Sequence, residues 1–152
     1  MPMSTPSSPH SSAQSGDQPV KLWSMIIPIR WGDMDALNHV NNAETMRFFE
    51  EARVAWSQHH NLRNHRAAGG MIVAKATVNY KQPLAYPGNV VSEILVARIG
   101  NSSFDLHQKL TVQETGVVAT TGDYVIVWYD YKNEKSAPLP DNVRAILEGK
   151  AD

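Results

Sequence analysis

The chain contains no cysteine, which excludes disulfide scaffolds, cysteine-ligated zinc and thiol nucleophiles together. It has no apolar stretch near the ~20 residues of a membrane-spanning helix, and no basic start leading into an apolar run as in a secretory signal. Neither sign of charge dominates, with 14 Lys and Arg against 15 Asp and Glu in 152 residues. A basic nucleic-acid footprint over the whole surface is thereby excluded. Internal repeats and heptads are also missing. These absences predict a soluble, cytoplasmic protein that partners neither a membrane nor a nucleic acid.

Low complexity is confined to the first nineteen residues, which hold six Ser, four Pro and a single charged group, Asp17. So little apolar surface cannot offset the entropy of ordering a segment, and residues 1–19 are expected to form a disordered tail. Residues 20–152 remain as one domain, long enough for a sizeable core.

Within that domain, residues 23–30 (WSMIIPIR) read as a strand. Pro28 lacks a ladder N–H and so favours an edge or a bulge. Met46, Phe49, Ala52 and Trp56 then recur at three- and four-residue spacing, with Phe48 and Ala55 widening the stripe, which predicts one long helix from about Asn42 to His60. Its outer face is expected to carry Glu44, Arg47, Glu50, Glu51 and Arg53, with Arg47/Glu51 and Glu50/Arg53 at pairing distance. After Gly69-Gly70, read as a turn, four segments rich in β-branched and aromatic residues follow: 72–80, 90–99, 103–113 and 117–129. Short connectors between them favour antiparallel neighbours, and residues 141–147 after Pro140 read as a short helix. One helix and five strands give an α+β architecture in which the sheet wraps around the helix and something else must cover its free surface.

The densest polar cluster, Arg30 to Asn42, lies between the first strand and the N-terminus of the long helix. Helix N-termini present unpaired N–H groups and partial positive charge, so they can polarise a carbonyl and hold an oxyanion. Asp35 adds a carboxylate just upstream. A carboxylate beside an oxyanion site is the minimum equipment for hydrolysing an activated acyl compound. The same residues would equally serve as ordinary cap and turn residues, with Asn41 as N-cap. The remaining histidines lack metal-ligand spacing: His59, His60 and His65 cluster at a helix end, and His107 alternates along a strand. Trp128, Tyr129 and Tyr131 suit a sheet face better than base stacking at this charge balance.

The stretch WGDMDALNHVNNAETMRFFEEARVAW resembles the signature of hotdog-fold thioesterases of the 4-hydroxybenzoyl-CoA thioesterase type, and its HVNN element resembles the plant acyl-ACP thioesterases. The similarity runs on through residues 76–88 and through ARIGNSSFDL at 97–106, covering residues 22 to about 130. It implies a hotdog fold, a five-stranded antiparallel sheet around one long central helix. It also implies a thioesterase acting on acyl-CoA or acyl-ACP, with no cofactor and no metal beyond the substrate's own coenzyme. On this resemblance Asp35 is the catalytic carboxylate, Asn42 supplies the oxyanion N–H, and His39 matches the active-site histidine of the plant motif. The substrate-contacting set is Asn41, Thr45, Met46, Phe49, Arg98, Ser102 and Ser103. Thr45 stands where the family commonly has an aromatic residue. Gly100, Asn101 and Ser102 stand in place of a basic phosphate-gripping cluster, with Arg98 and Lys109 as nearby replacements. A homodimer or dimer of dimers, with sites at the subunit boundary, is likewise implied. The alternatives are a hotdog enoyl-thioester hydratase and a non-catalytic acyl-CoA-binding protein. Hydratases of this fold place an Asp and a His five apart with a second Asp two beyond, whereas Asp35 and His39 are four apart and Asn41 takes the second place.

Overall fold

The computed structural model describes residues 19–62 and 69–151. The expectations for the tail before Pro19 and for His65 lie outside the described residues. The elements are β1 (Lys21–Ile29), a 3-10 turn (Trp31–Asp33), α1 (Asn42–His59), β2 (Gly70–Tyr80), β3 (Gly88–Ile99), β4 (Ser103–Val112), β5 (Val118–Asp130), β6 (Lys135–Ser136) and α2 (Asp141–Leu147). All strand pairs are antiparallel, in the order β1-β3-β4-β5-β2, with β6 added to β5. This is the hotdog arrangement expected from the sequence. The two-residue β6 was not anticipated.

Pro28 lies on β1, at one edge of the sheet, and pairs in register with Asn89. The register shift of that strand falls between Lys21 and Trp23, so edge placement rather than a bulge accommodates the proline. Gly69 precedes β2 with a φ of +106°, and a Cβ there would sit 2.8 Å from the Trp128 indole nitrogen. Only glycine suits that position. Gly70, expected in the turn, instead opens the strand.

The core lies between α1 and the inward face of the sheet. Phe48, Phe49, Ala52 and Trp56 of α1 are buried, as are Phe104, Leu106 and Leu110 of β4 and Tyr124, Ile126 and Trp128 of β5. The inward positions of β4 alternate strictly with the partly exposed Ser103, Asp105, His107 and Lys109. Two buried polar side chains tie the layers together. Ser92 donates to the Phe48 carbonyl at 3.2 Å, and Gln108 donates through Nε2 to the Phe49 carbonyl at 3.1 Å. Burial without such partners would be costly.

Arg53 departs from the expected solvated face. Its guanidinium donates to Gln108 Oε1 at 2.7 Å and lies 4.1 Å from the centroid of the Tyr124 ring. Four residues after Phe49, it shares that flank of the helix, and its long stem carries the charge along apolar surface to the sheet. The charged pair on the exposed face is therefore Arg47 with Glu50, at 3.1 Å. Short α2 buries Val143, Ile146 and Leu147, and Arg144 donates to the Gly100 carbonyl at 2.8 Å, closing the β3–β4 turn.

Candidate active site

The loop between β1 and α1 is organised from the backbone upward. Asp33 is 2% exposed, and its carboxylate accepts bonds from the Arg30 backbone N–H at 2.8 Å and from the Arg30 guanidinium at 2.8 and 3.4 Å. A buried carboxylate needs such pairing, and in return it holds the Arg30 guanidinium above its ordinary pKa. Beyond it the chain makes a small hairpin joined by a Met34–Val40 bridge. Asp35 N–H donates to the His39 carbonyl at 2.9 Å, and Asn38 N–H to the Asp35 carbonyl at 3.1 Å. Asn38 takes the left-handed conformation at φ 60°, which asparagine tolerates better than most residues. Asp35 Oδ1 accepts Leu37 N–H at 2.9 Å, a local turn that orients the carboxylate.

Two further bonds dock the hairpin. Val40 N–H donates to the Leu84 carbonyl at 2.7 Å and Asn41 N–H to the Asp33 carbonyl at 2.9 Å. Asn41 is the N-cap of α1, its Oδ1 accepting Ala43 N–H at 2.9 Å. The buried Thr45 donates its hydroxyl to the Asn41 carbonyl at 3.4 Å. Asn42 is the first helical residue, as its position after the cap predicts. Its N–H has no acceptor among the described residues and belongs to the positive end of the helix.

These groups border a cleft of about 580 Å³. One wall carries Asp35, His39, Asn41, Asn42 and Thr45, so five of the residues expected at the site come together. The opposite wall carries Tyr80, Lys81, Gln82 and Thr120, none of which stood out in the sequence. Tyr80 joins the walls by donating its phenol hydroxyl to the Asn42 carbonyl at 3.2 Å. A carboxylate and a polarising N–H in one cleft can act on the same carbonyl group.

The other expected substrate contacts lie elsewhere. Phe49 is fully buried in the core, and Met46 is half-buried with its sulfur 3.8 Å from the Tyr124 hydroxyl. Neither lines the cleft, because helical spacing carries both toward the sheet. Arg98 is held by Asp105 at 2.9 and 3.0 Å and by Ser103 Oγ at 3.0 Å. Ser102 lies in the β3–β4 turn and Ser103 opens β4 opposite Val127, whereas Thr120 of the cleft pairs with Leu110. At about 3.3 Å per residue, Ser103 and Leu110 stand roughly 23 Å apart along one strand. Within a single chain this end of the sheet is remote from Asp35.

The model of the thioesterase-like superfamily matches residues 29–147, a span containing the hairpin, α1 and the whole sheet beyond β1. The chain belongs to the thioesterase-like superfamily. Membership bears out the resemblance read from the hairpin and helix motif, and with it thioester hydrolysis as the enzyme class. Long-chain acyl-CoA thioesterase FadM of Escherichia coli K12 is 26% identical over 131 residues, covering 80% of this chain and 94% of that protein. Among solved structures of similar shape, the PA2801 protein of Pseudomonas aeruginosa is 36% identical at a TM-score of 0.78, covering 83% of this chain and 98% of that one. A thioesterase of Thermus thermophilus, solved with coenzyme A and zinc, is 28% identical at a TM-score of 0.72, covering 82% and 95%. In this superfamily member no group of three or more His, Asp or Glu among the described residues could hold a metal ion. No helix among them is long and apolar enough to cross a membrane.

Proposed function

We propose that the cleft hydrolyses acyl-CoA thioesters to the free acid and coenzyme A. The observation that carries this reading is the placement of the Asp35 carboxylate and the unengaged Asn42 N–H on one wall of one cleft. With Oδ1 held by Leu37 N–H, Asp35 takes a proton from water through its other oxygen while the water oxygen bonds to the thioester carbon. The carbonyl oxygen becomes an oxyanion facing Asn42 N–H. Collapse breaks the carbon–sulfur bond, and the thiolate leaves with the proton Asp35 had taken. Apart from the attacking water, every group in these steps belongs to the chain or the thioester.

The naming of similar proteins as long-chain acyl-CoA and coenzyme A-bound thioesterases supports acyl-CoA as the first substrate class to test. Acyl-ACP shares the same thioester and pantetheine arm and is the second. A thiol-release assay across acyl chain lengths on both carriers should show wild-type turnover on at least one acyl-CoA. Silence on every thioester would transfer the cleft to a binding role.

The working form is a dimer built on the β2 edge. β1 lacks a donor N–H at Pro28, whereas β2 presents eleven residues with an exposed run from Val73 to Thr77, within which its pairing with β5 shifts register between Val73 and Lys75. Such an edge invites strand addition by a second copy. Light scattering on the 16.9 kDa chain should return at least twice that mass. An active monomer at micromolar concentration would sink the dimer.

A further inference from the structure

Thioesters of coenzyme A and of carrier protein bring phosphate to the cleft, yet the cations expected to receive it are engaged elsewhere. Arg98 is committed to Asp105, and Lys109 faces Glu93 at 3.6 Å. Neither side chain lines the cleft. Lys81 does border it, and it is the one Lys or Arg among the lining residues. No ion pair among the described residues includes Lys81. An exposed ammonium with three donors and no anion is a group with unspent capacity.

The backbone around it is fixed. Lys81 N–H and Gln82 N–H both donate to the Ala119 carbonyl, at 2.9 and 3.0 Å. These bonds hold the segment directly after β2 against β5, opposite the helix N-terminus. A substrate whose thioester lies at Asp35 and Asn42 would then run its arm toward this wall. The carboxamides of Asn42 and Gln82 border the same path and match in kind the amide groups of a pantetheine arm.

We propose that Lys81 reads a phosphate of the substrate's carrier and so makes the cleft selective for phosphate-bearing thioesters. The proposal rests on the thioesterase reading of this cleft. It places recognition on the β2–β3 connection of the same chain, not on the β3–β4 turn.

The test compares one acyl group on coenzyme A, on 4′-phosphopantetheine and on pantetheine, using wild type, Lys81→Ala and Lys81→Arg. Replacing the ammonium should lower the ratio of kcat/KM for acyl-CoA to that for acyl-pantetheine by about tenfold, chiefly through KM. Lys81→Arg should restore most of the ratio, because it keeps the charge. The reading holds whether the penalty falls on both phosphorylated substrates, marking the phosphate next to the pantetheine arm, or on acyl-CoA alone, marking the nucleotide phosphates. A ratio within twofold of wild type, or an equal loss on all three substrates, would overturn it. Failure of the thioesterase reading is a different result, in which wild type hydrolyses none of the three.

Discussion

Asp35→Asn protein should fold like the parent and lose about 10²-fold or more in turnover on any thioester the parent hydrolyses. Asparagine keeps the side-chain size, and its carbonyl oxygen can still accept Leu37 N–H where Asp35 Oδ1 now does at 2.9 Å. What disappears is the anion able to take a proton from water or attack the thioester carbon. Melting curves should therefore nearly superimpose while kcat/KM collapses. Asp33→Asn is the matched control. Its carboxylate is buried against Arg30 and outside the cleft, so its removal should lower the melting temperature and affect rate only through the hairpin it anchors. His39→Ala is expected between the two if the imidazole orients the loop or the substrate. Full activity of folded Asp35→Asn would reject the mechanism. Single turnover in ¹⁸O-water tests the second route, since label on Asp35 requires an acyl–Asp35 anhydride opened by water at the Asp35 carboxyl carbon, whereas direct attack of water on the thioester puts the label in the product acid.

Phe49→Ala carries the largest expected cost in stability, about 3–5 kcal/mol, because a buried aromatic side chain is lost and the site cannot collapse freely around the void. The ring is 0% exposed and meets Tyr124 edge-on with centroids 5.7 Å apart. It also fills space that Gly122 leaves open, where a Cβ would sit 3.3 Å from the ring. For a domain of this size the melting temperature should fall by on the order of 10–20 °C. Because Phe49 lies outside the cleft, the ranking of acyl chain lengths should survive in whatever folded fraction remains. A drop of less than about 1 kcal/mol with a changed chain-length ranking would return Phe49 to the substrate.

Much of this architecture could be read locally. The start of α1 follows from a capping asparagine ahead of an apolar stripe, and α2 from a proline ahead of one, so both boundaries fell where periodicity and capping chemistry put them. The placement of Pro28 on an edge follows from its missing donor. Other features depend on contacts that no short window contains. β6 consists of Lys135 and Ser136 alone and exists because Asp130 gathers the N–H groups of Lys132 and Asn133 into a turn. The inward position of Arg53 depends on Gln108, fifty-five residues away.

The candidate site divides the same way. Its helix wall is a continuous run of sequence, and chemistry alone singles it out. Its other wall forms only when β2 and β5 pair so that Tyr80 meets Thr120, and register across forty residues carries no local signature. The same limit separated Ser102 and Ser103 from Asp35: they lie at the start of β4, whereas the cleft borders the other end of that strand, where Leu110 pairs with Thr120.

The bond from Val40 N–H to the Leu84 carbonyl staples the Asp35 hairpin to the segment that carries Lys81. Cleft width is thus set by the protein before any thioester arrives, and little of the binding energy is diverted to ordering loops. A truncated thioester should consequently forfeit affinity in proportion to the contacts it lacks while reacting, once bound, at nearly the rate of the full one.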